Sequence, residues 1–318
     1  MPANWLFWLL FHVFIAVALA LDLGVMGRGA RSVGYREALA RTAAWVAAAA
    51  IFAVLIFHFG HSITGHANRP NGVMTLEFVT GYLVEEALSV DNLFVFLLIF
   101  RYFRVPDELH HKVLFWGIVG ALAFRAIFIL SGVALINRFH WIIYAFGAFL
   151  LYVGARLLRP ERAAVEPAKS WVVRAASRRL QIAPNFGDGG FWVMRDGRRL
   201  ATQLLLVLLV VETTDVLFAT DSIPAVIAIS RDPFIVYTSN VFAILGLRSL
   251  YFALAGMMET FHLLHYGLAV VIMAMGVKML ASHWFEVPVV LALGFIVLVL
   301  AVSVGLSVAI PRRNPSES

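Results

Sequence analysis

Glu85-Glu86-Ala87-Leu88-Ser89-Val90-Asp91-Asn92 interrupts an otherwise apolar stretch, and Asp215-Val216-Leu217-Phe218-Ala219-Thr220-Asp221-Ser222 does the same further along the chain. Each segment carries an acid followed six residues later by an aspartate. A carboxylate at bilayer depth costs several kcal/mol, about 2.5–3.5 on insertion scales. Four acids at matched positions therefore point to one shared polar site.

The surrounding composition is that of a membrane protein. Of 318 residues, 61% are hydrophobic and 14% charged, with a mean hydropathy of +0.86. Soluble domains run at about 45–50% apolar and about 25% charged. There is no cysteine, which removes disulfides and thiolate metal sites from consideration and leaves the redox compartment unread. A net charge of +6 could suggest nucleic acid, but the basic residues gather in loops on one side, which implies a lipid bilayer as the partner.

Given the need for about 20 residues per spanning helix, nine segments qualify: 5–23, 38–59, 73–100, 113–136, 141–158, 201–229, 234–256, 263–281 and 287–310. The first has an uncharged start and is followed by Asp22 and an arginine-rich loop, so it reads as a retained anchor rather than a signal peptide. With the N-terminus outside, the inner loops hold Arg28, Arg31, Arg36 and Arg41, then Arg101, Arg104 and Lys112, then the basic stretch from Arg156 to Arg199, then Arg312 and Arg313. The outer side holds Arg69, Arg138, Arg231 and Lys278. This bias predicts N-terminus out and C-terminus in.

Within the basic loop 159–200, residues 161–167 read as a linker and 171–180 as a short basic amphipathic helix. Asp196-Gly197 marks the turn of a small hairpin. The loop serves as a positive-inside connector or as a docking surface for a protein partner.

Aligning Glu85 with Asp215 brings Asp91 onto Asp221, Phe124-Arg125 onto Leu247-Arg248, Phe139-His140 onto Phe261-His262, and Gly154-Ala155-Arg156 onto Gly276-Val277-Lys278, with small gaps. Helices 3–5 thus resemble helices 6–8. Units with an odd number of spans must lie in opposite orientations, as in the inverted repeats of secondary transporters, whose sites lie near the midplane. The expected fold is an all-α membrane protein with a 3+3 inverted repeat. Its parts are two N-terminal helices (1–72), repeat 1 (73–158), the basic loop (159–200), repeat 2 (201–281), and a ninth helix with a short tail (282–318).

At about 100° per residue, Glu85, Ser89 and Asn92 share one stripe, as do Asp215, Ala219 and Ser222, whereas Asp91 and Asp221 lie about 120° from their upstream acids. Either several helices surround the site or the helix is interrupted there. Pro224 favours an interruption in the second copy, releasing the carbonyl of Thr220. Carboxylates, an amide, hydroxyls and carbonyls are hard oxygen donors suited to magnesium, calcium or manganese. No histidine lies within either acidic segment. Proton exchange would also relieve the crowding.

Arg125 and Arg248 are the natural counter-charges, whether they serve transport or simply lock the bundle. Glu212 shares a face with Asp215, while Glu86 has no counterpart in the second copy. Glu77 reads as interfacial, Asp22 as an ion-pair partner of Arg28 and Arg31 or a substrate contact, and His58, His61 and His66 as loop histidines that could form an entrance site.

Glu85 to Phe96, together with Phe218-Ala219-Thr220-Asp221-Ser222-Ile223-Pro224-Ala225 and Leu21-Asp22-Leu23-Gly24, resembles the signature segments of the TerC family of integral membrane proteins. The resemblance implies a relative of LysE-type exporters, with family members implicated in manganese efflux and tellurite resistance, in the bacterial inner membrane. It further implies that Asp91, Asn92, Asp221 and Ser222 bind metal with Glu85 and Asp215 beside them. The expectation is a secondary exporter of a divalent ion, manganese first, with no permanently bound cofactor. No P-loop is present, nor any sign of an enzyme. The alternative is a membrane scaffold for a stress-response complex, docked through the basic loop.

Overall fold

The computed structural model describes residues 4–26, 35–65, 68–139, 141–158, 181–183, 186, 189–195, 198–254, 263–282, 284 and 287–310. Among them are nine helices and one hairpin: α1 (Asn4–Met26), α2 (Tyr35–Thr64), α3 (Asn71–Phe103), α4 (Asp107–Arg138), α5 (Ile142–Leu157), β1 (Trp192–Arg195), β2 (Arg198–Ala201), α6 (Gln203–Ile227), α7 (Pro233–Leu254), α8 (Leu264–Ala281) and α9 (Val289–Ala309). Each expected span coincides with a helix. Six of them, α2, α4, α6, α7, α8 and α9, are long and apolar enough by themselves to cross a bilayer. Helix α3, 33 residues long, carries Glu77, Glu85, Glu86 and Asp91 along its length, and α1 and α5 add described apolar stretches over 5–21 and 142–157.

Proline punctuates the bundle. Pro70, Pro106 and Pro288 directly precede α3, α4 and α9, and Pro233 opens α7. Its fixed φ suits a helix start, where its missing N–H has no partner to lose. At the other end of α3, Arg104 adopts the left-handed conformation (φ 51°), and its N–H returns to the Phe100 and Arg101 carbonyls. That turn lets α4 begin three residues later.

The expected interruption of the second acidic segment does not occur. Helix α6 continues through Pro224 to Ile227, and α3 passes its own acids unbroken. Pro224 removes one donor, but the Ala228 N–H still reaches the Pro224 carbonyl at 2.9 Å, and the Ser230 N–H reaches Val226 at 3.1 Å. The backbone ladder recovers within one turn.

Helix α7 is buried along almost its whole length, packed by α2, α3 and α4. Contacts fix the relative directions of the helices. Along α3, Glu77, Gly81 and Glu85 meet Ser230, Val226 and, through Arg125, Asp215, so α3 and α6 are antiparallel. Gly81, Glu85 and Glu86 meet Ser239, Asn240 and Gly246, so α3 and α7 are parallel. Gly117, Gly120 and Gly132 of α4 meet Val211, Glu212 and Ile227, so α4 and α6 are likewise parallel.

Helices α5 and α8 make the closest approach. A Cβ at Gly147 would lie 3.0 Å from the Gly276 carbonyl, one at Gly276 2.8 Å from the Gly147 carbonyl, and one at Gly154 2.9 Å from the Ala269 carbonyl. The neighbours here are backbone atoms, which cannot rotate away, so small residues are required for this antiparallel crossing. The hairpin pairs Trp192 with Ala201 and Arg195 with Arg198, and residues 196 and 197 between its strands lie outside the described residues. The expected hairpin is therefore present, whereas the expected linker 161–167 and amphipathic helix 171–180 lie outside the described residues. Gly276→Ala is expected to lower stability in detergent by about 1–3 kcal/mol, the usual cost of overpacking. Thermal melts should show no comparable loss for Gly294→Ala or Gly305→Ala, whose positions face open space on α9.

Candidate functional site

Arg125 of α4 lies at the centre of the bundle, 2% exposed, with Glu85 (0%) of α3, Asp215 (4%) of α6 and Asn240 (0%) of α7 around it. Its Nη1 donates to Glu85 and, at 2.9 Å, to the Asn240 side-chain oxygen. Its Nη2 lies 3.6 Å from Asp215 Oδ1. The Asn240 amide in turn donates to Glu85 Oε2 at 2.9 Å. The two acids at equivalent places in the two segments thus share one guanidinium. Arginine suits this position because it stays charged and its fork can serve several acceptors at once.

The two acids are held unequally. Among the described residues, Glu85 accepts from both Arg125 and Asn240, whereas Asp215 makes the longer ion contact with Arg125 and its Oδ2 is buried without a hydrogen-bond partner. Glu86 Oε2, Glu212 Oε2 and Ser222 Oγ are also buried without hydrogen-bond partners. Glu86 faces Gly246 of α7, and Glu212 packs directly over Gly120 of α4, where no Cβ would fit. Buried carboxylate oxygens without hydrogen-bond partners call for a proton or a further cation.

The stripes expected from helical spacing face inward: Ser89, Asn92, Ala219 and Ser222 are all buried. Thr220 is exposed, and its hydroxyl donates to the Leu217 carbonyl at 2.6 Å. Asp91 and Asp221 lie on α3 and α6 and Asp22 on α1, but their side chains are outside the described residues. Among the described residues, no group of three histidine, cysteine, aspartate or glutamate side chains is arranged to hold a metal. The described acids meet instead through Arg125. Arg248 and Asp215 line one crevice between α3, α4, α6 and α7, together with Phe96, Leu114, Gly117 and Val211.

A second charged group closes the opposite end of the bundle. Arg69, before α3, pairs with Glu77 and lies 3.7 Å from Asp232. Ser230 Oγ donates to Glu77 at 2.6 Å. Asp232 caps α7, accepting the N–H groups of Phe234 and Ile235 at 2.9 and 3.3 Å. Glu77, in the second turn of α3, is therefore buried at an ion pair. Of His58, His61 and His66, the first two are exposed on α2, and the His61 Nε2–H donates to the Arg69 carbonyl at 2.7 Å. His66 lies outside the described residues.

Asn240 and Ser230 escaped the sequence reading. The signal for Asn240 was Thr238-Ser239-Asn240 within an apolar helix, since polar side chains at membrane depth mark internal networks.

The family model of the integral membrane protein TerC family matches residues 71–315. An "Uncharacterized membrane protein STKORF319" of Myxococcus xanthus is 44% identical over 310 residues, covering 97% of this chain and 94% of its own length. A "Putative membrane-bound redox modulator Alx" of Escherichia coli (strain K12) is 41% identical over 292 residues, covering 92% and 90%. A protein of the same name from Photorhabdus laumondii is 39% identical over 314 residues, covering 98% of each chain. No solved structure matches this chain. With apolar helices able to cross a bilayer and most of its length matched, the chain belongs to the TerC family of integral membrane proteins.

Proposed function

We propose that this chain is a secondary transporter, and not an enzyme, that exports a divalent metal ion through a midplane site where two inverted three-helix repeats meet. Manganese is the first choice of ion, and calcium and magnesium suit the same oxygen donors. The single observation that carries this reading is the buried acid pair Glu85 and Asp215, drawn from the two segments and bridged by Arg125.

The helix directions support an inverted repeat. A pseudo-twofold axis that exchanges α3 with α6 and α4 with α7 requires the α3/α7 and α6/α4 pairs to match, and both are parallel. It also requires α3/α6 and α5/α8 to be antiparallel, as they are. Nine crossings, N-terminus out and C-terminus in, agree with the arginine and lysine bias. In that topology the bacterial inner membrane is the natural location.

The unequal grip on the two acids suggests how an ion enters. At an effective dielectric near 20, two unit charges 4 Å apart interact by about 4 kcal/mol, and a divalent ion doubles that to about 8. An arriving ion therefore outcompetes Arg125 for the loosely held Asp215, while Asn240 keeps Glu85 in place. The crevice beside Asp215 is small and lined by buried residues, and it lies toward the end of α4 that bears Leu114, whereas on the other side Gly81 is packed on Ser239 and Val226. In the proposed topology that end faces the cytoplasm, and its opening would admit an ion for export. The Alx name carried by relatives concerns redox balance. This chain has no thiol with which to exchange, and a transported redox-active metal would produce such an effect.

Proteoliposomes test the reading. Wild type should move manganese, and Asp215→Asn, Asp91→Asn and Asp221→Asn should each reduce initial rates at least tenfold. Normal transport in these variants, with function lost instead on charge reversal in loop 159–200, would support the scaffold alternative. The cysteine-free chain permits a second test. A lone cysteine at Leu114 should react with a small thiol reagent and be protected by manganese, while one at Ser239 should stay unreactive. Equal reactivity at both positions contradicts the one-sided crevice.

A further inference from the structure

The hairpin before α6 has no part in the ion site, yet it is firmly held. Lys112 Nζ donates to the Gly189 carbonyl at 2.6 Å, Thr202 Oγ1 to the Gly190 carbonyl at 2.6 Å, and the Thr202 N–H to the Phe191 carbonyl at 3.0 Å. Ala201 also bridges to Ile182, which extends β2 on its far side. Such an element presents a fixed face.

That face is apolar and basic at once. Alternation along β1 puts Trp192 and Met194 on one side, and the register adds Arg199 opposite Met194. Trp192 is 43% and Met194 68% exposed, large values for such side chains on a packed hairpin. The Arg199 guanidinium lies over the Trp192 ring, 4.7 Å from its centroid, which orients both outward. Arg195, at the tip, is exposed as well. Tryptophan with arginine is the pairing found where one end of a side chain is apolar and the other meets headgroups.

Location selects the occupant. Strand β2 runs through Thr202 directly into α6, an apolar spanning helix. Four strand residues at 3.3 Å each reach only about 13 Å, comparable with the Debye length of about 8–10 Å over which anionic lipid acts. A protein partner at this face would have to displace the bilayer surface beside it.

We propose that the Trp192–Met194–Arg199 face of the hairpin docks on an acidic bilayer surface, with the two apolar side chains among the headgroups and the arginines on lipid phosphates. Docking would fix the start of α6, the helix that carries Asp215.

The test uses the full chain in nanodiscs with a single spin label on Met194→Cys. In discs containing phosphatidylglycerol, collisions of the label with oxygen should rise and those with a water-soluble nickel chelate should fall severalfold relative to phosphatidylcholine discs. Arg199→Glu together with Arg195→Glu should abolish the difference. A label at Arg36→Cys, on the exposed start of α2, reports whether the bundle is intact. A Met194 label equally accessible to nickel in both discs, or shielded only when a cell extract supplies a protein, overturns the proposal. None of these outcomes depends on manganese transport.

Discussion

The structure is organised around a charge that lipid cannot solvate. Glu85 and Asp215 are buried in helices from the two acidic segments, and Arg125 stands between them. Breaking a buried ion pair by removing one partner typically costs about 3–5 kcal/mol because the other is left charged and unsolvated. That penalty ties α3, α4 and α6 to one another, and Asn240 brings α7 into the same network. The arrangement still leaves carboxylate oxygens of Asp215, Glu86 and Glu212 without hydrogen-bond partners. A purely structural ion pair gains nothing from such an excess. The proposed ion site would make use of it.

Packing serves the same end. Glycines at 147, 154 and 276 let α5 and α8 cross with backbone atoms nearly touching, and Gly120 makes room for the Glu212 carboxylate. Hydrophobic burial does not drive helices together in lipid, so close approach and polar contacts must do so. At the far end, Arg69, Glu77, Ser230 and Asp232 join the start of α3 to the start of α7. Charge therefore ties one end of the bundle together, and a small buried crevice lies toward the other.

Much of this was legible in the sequence. Length and hydropathy of single segments are local properties, so the nine helices and the Asp196-Gly197 hairpin could be located without tertiary knowledge. Arg125 could be recognised as a counter-charge because it and Arg248 stand at equivalent places in two apolar segments. Which acids it meets could not, since spacing along one helix says nothing about the rotation of its neighbour. The partner of Glu77 was not legible either, since Arg69 reaches it across the turn that starts α3. Pro224 suggested a break because a lost donor is visible in sequence, but the recovery of the ladder through Ala228 and Ser230 is not. Asn240 looked like one more small polar residue until the fold aimed it at Glu85.

The claim at the centre of this account is that the excess negative charge beside Arg125 receives a divalent ion. Anomalous diffraction at the manganese edge, on crystals of the full chain soaked in manganese, addresses it directly. The account predicts one strong peak between α3 and α6 in contact with the Asp215 carboxylate, with Arg125 still bound to Glu85. A map with no peak there, or with manganese only at surface side chains while Arg125 bridges both acids unchanged, would contradict it.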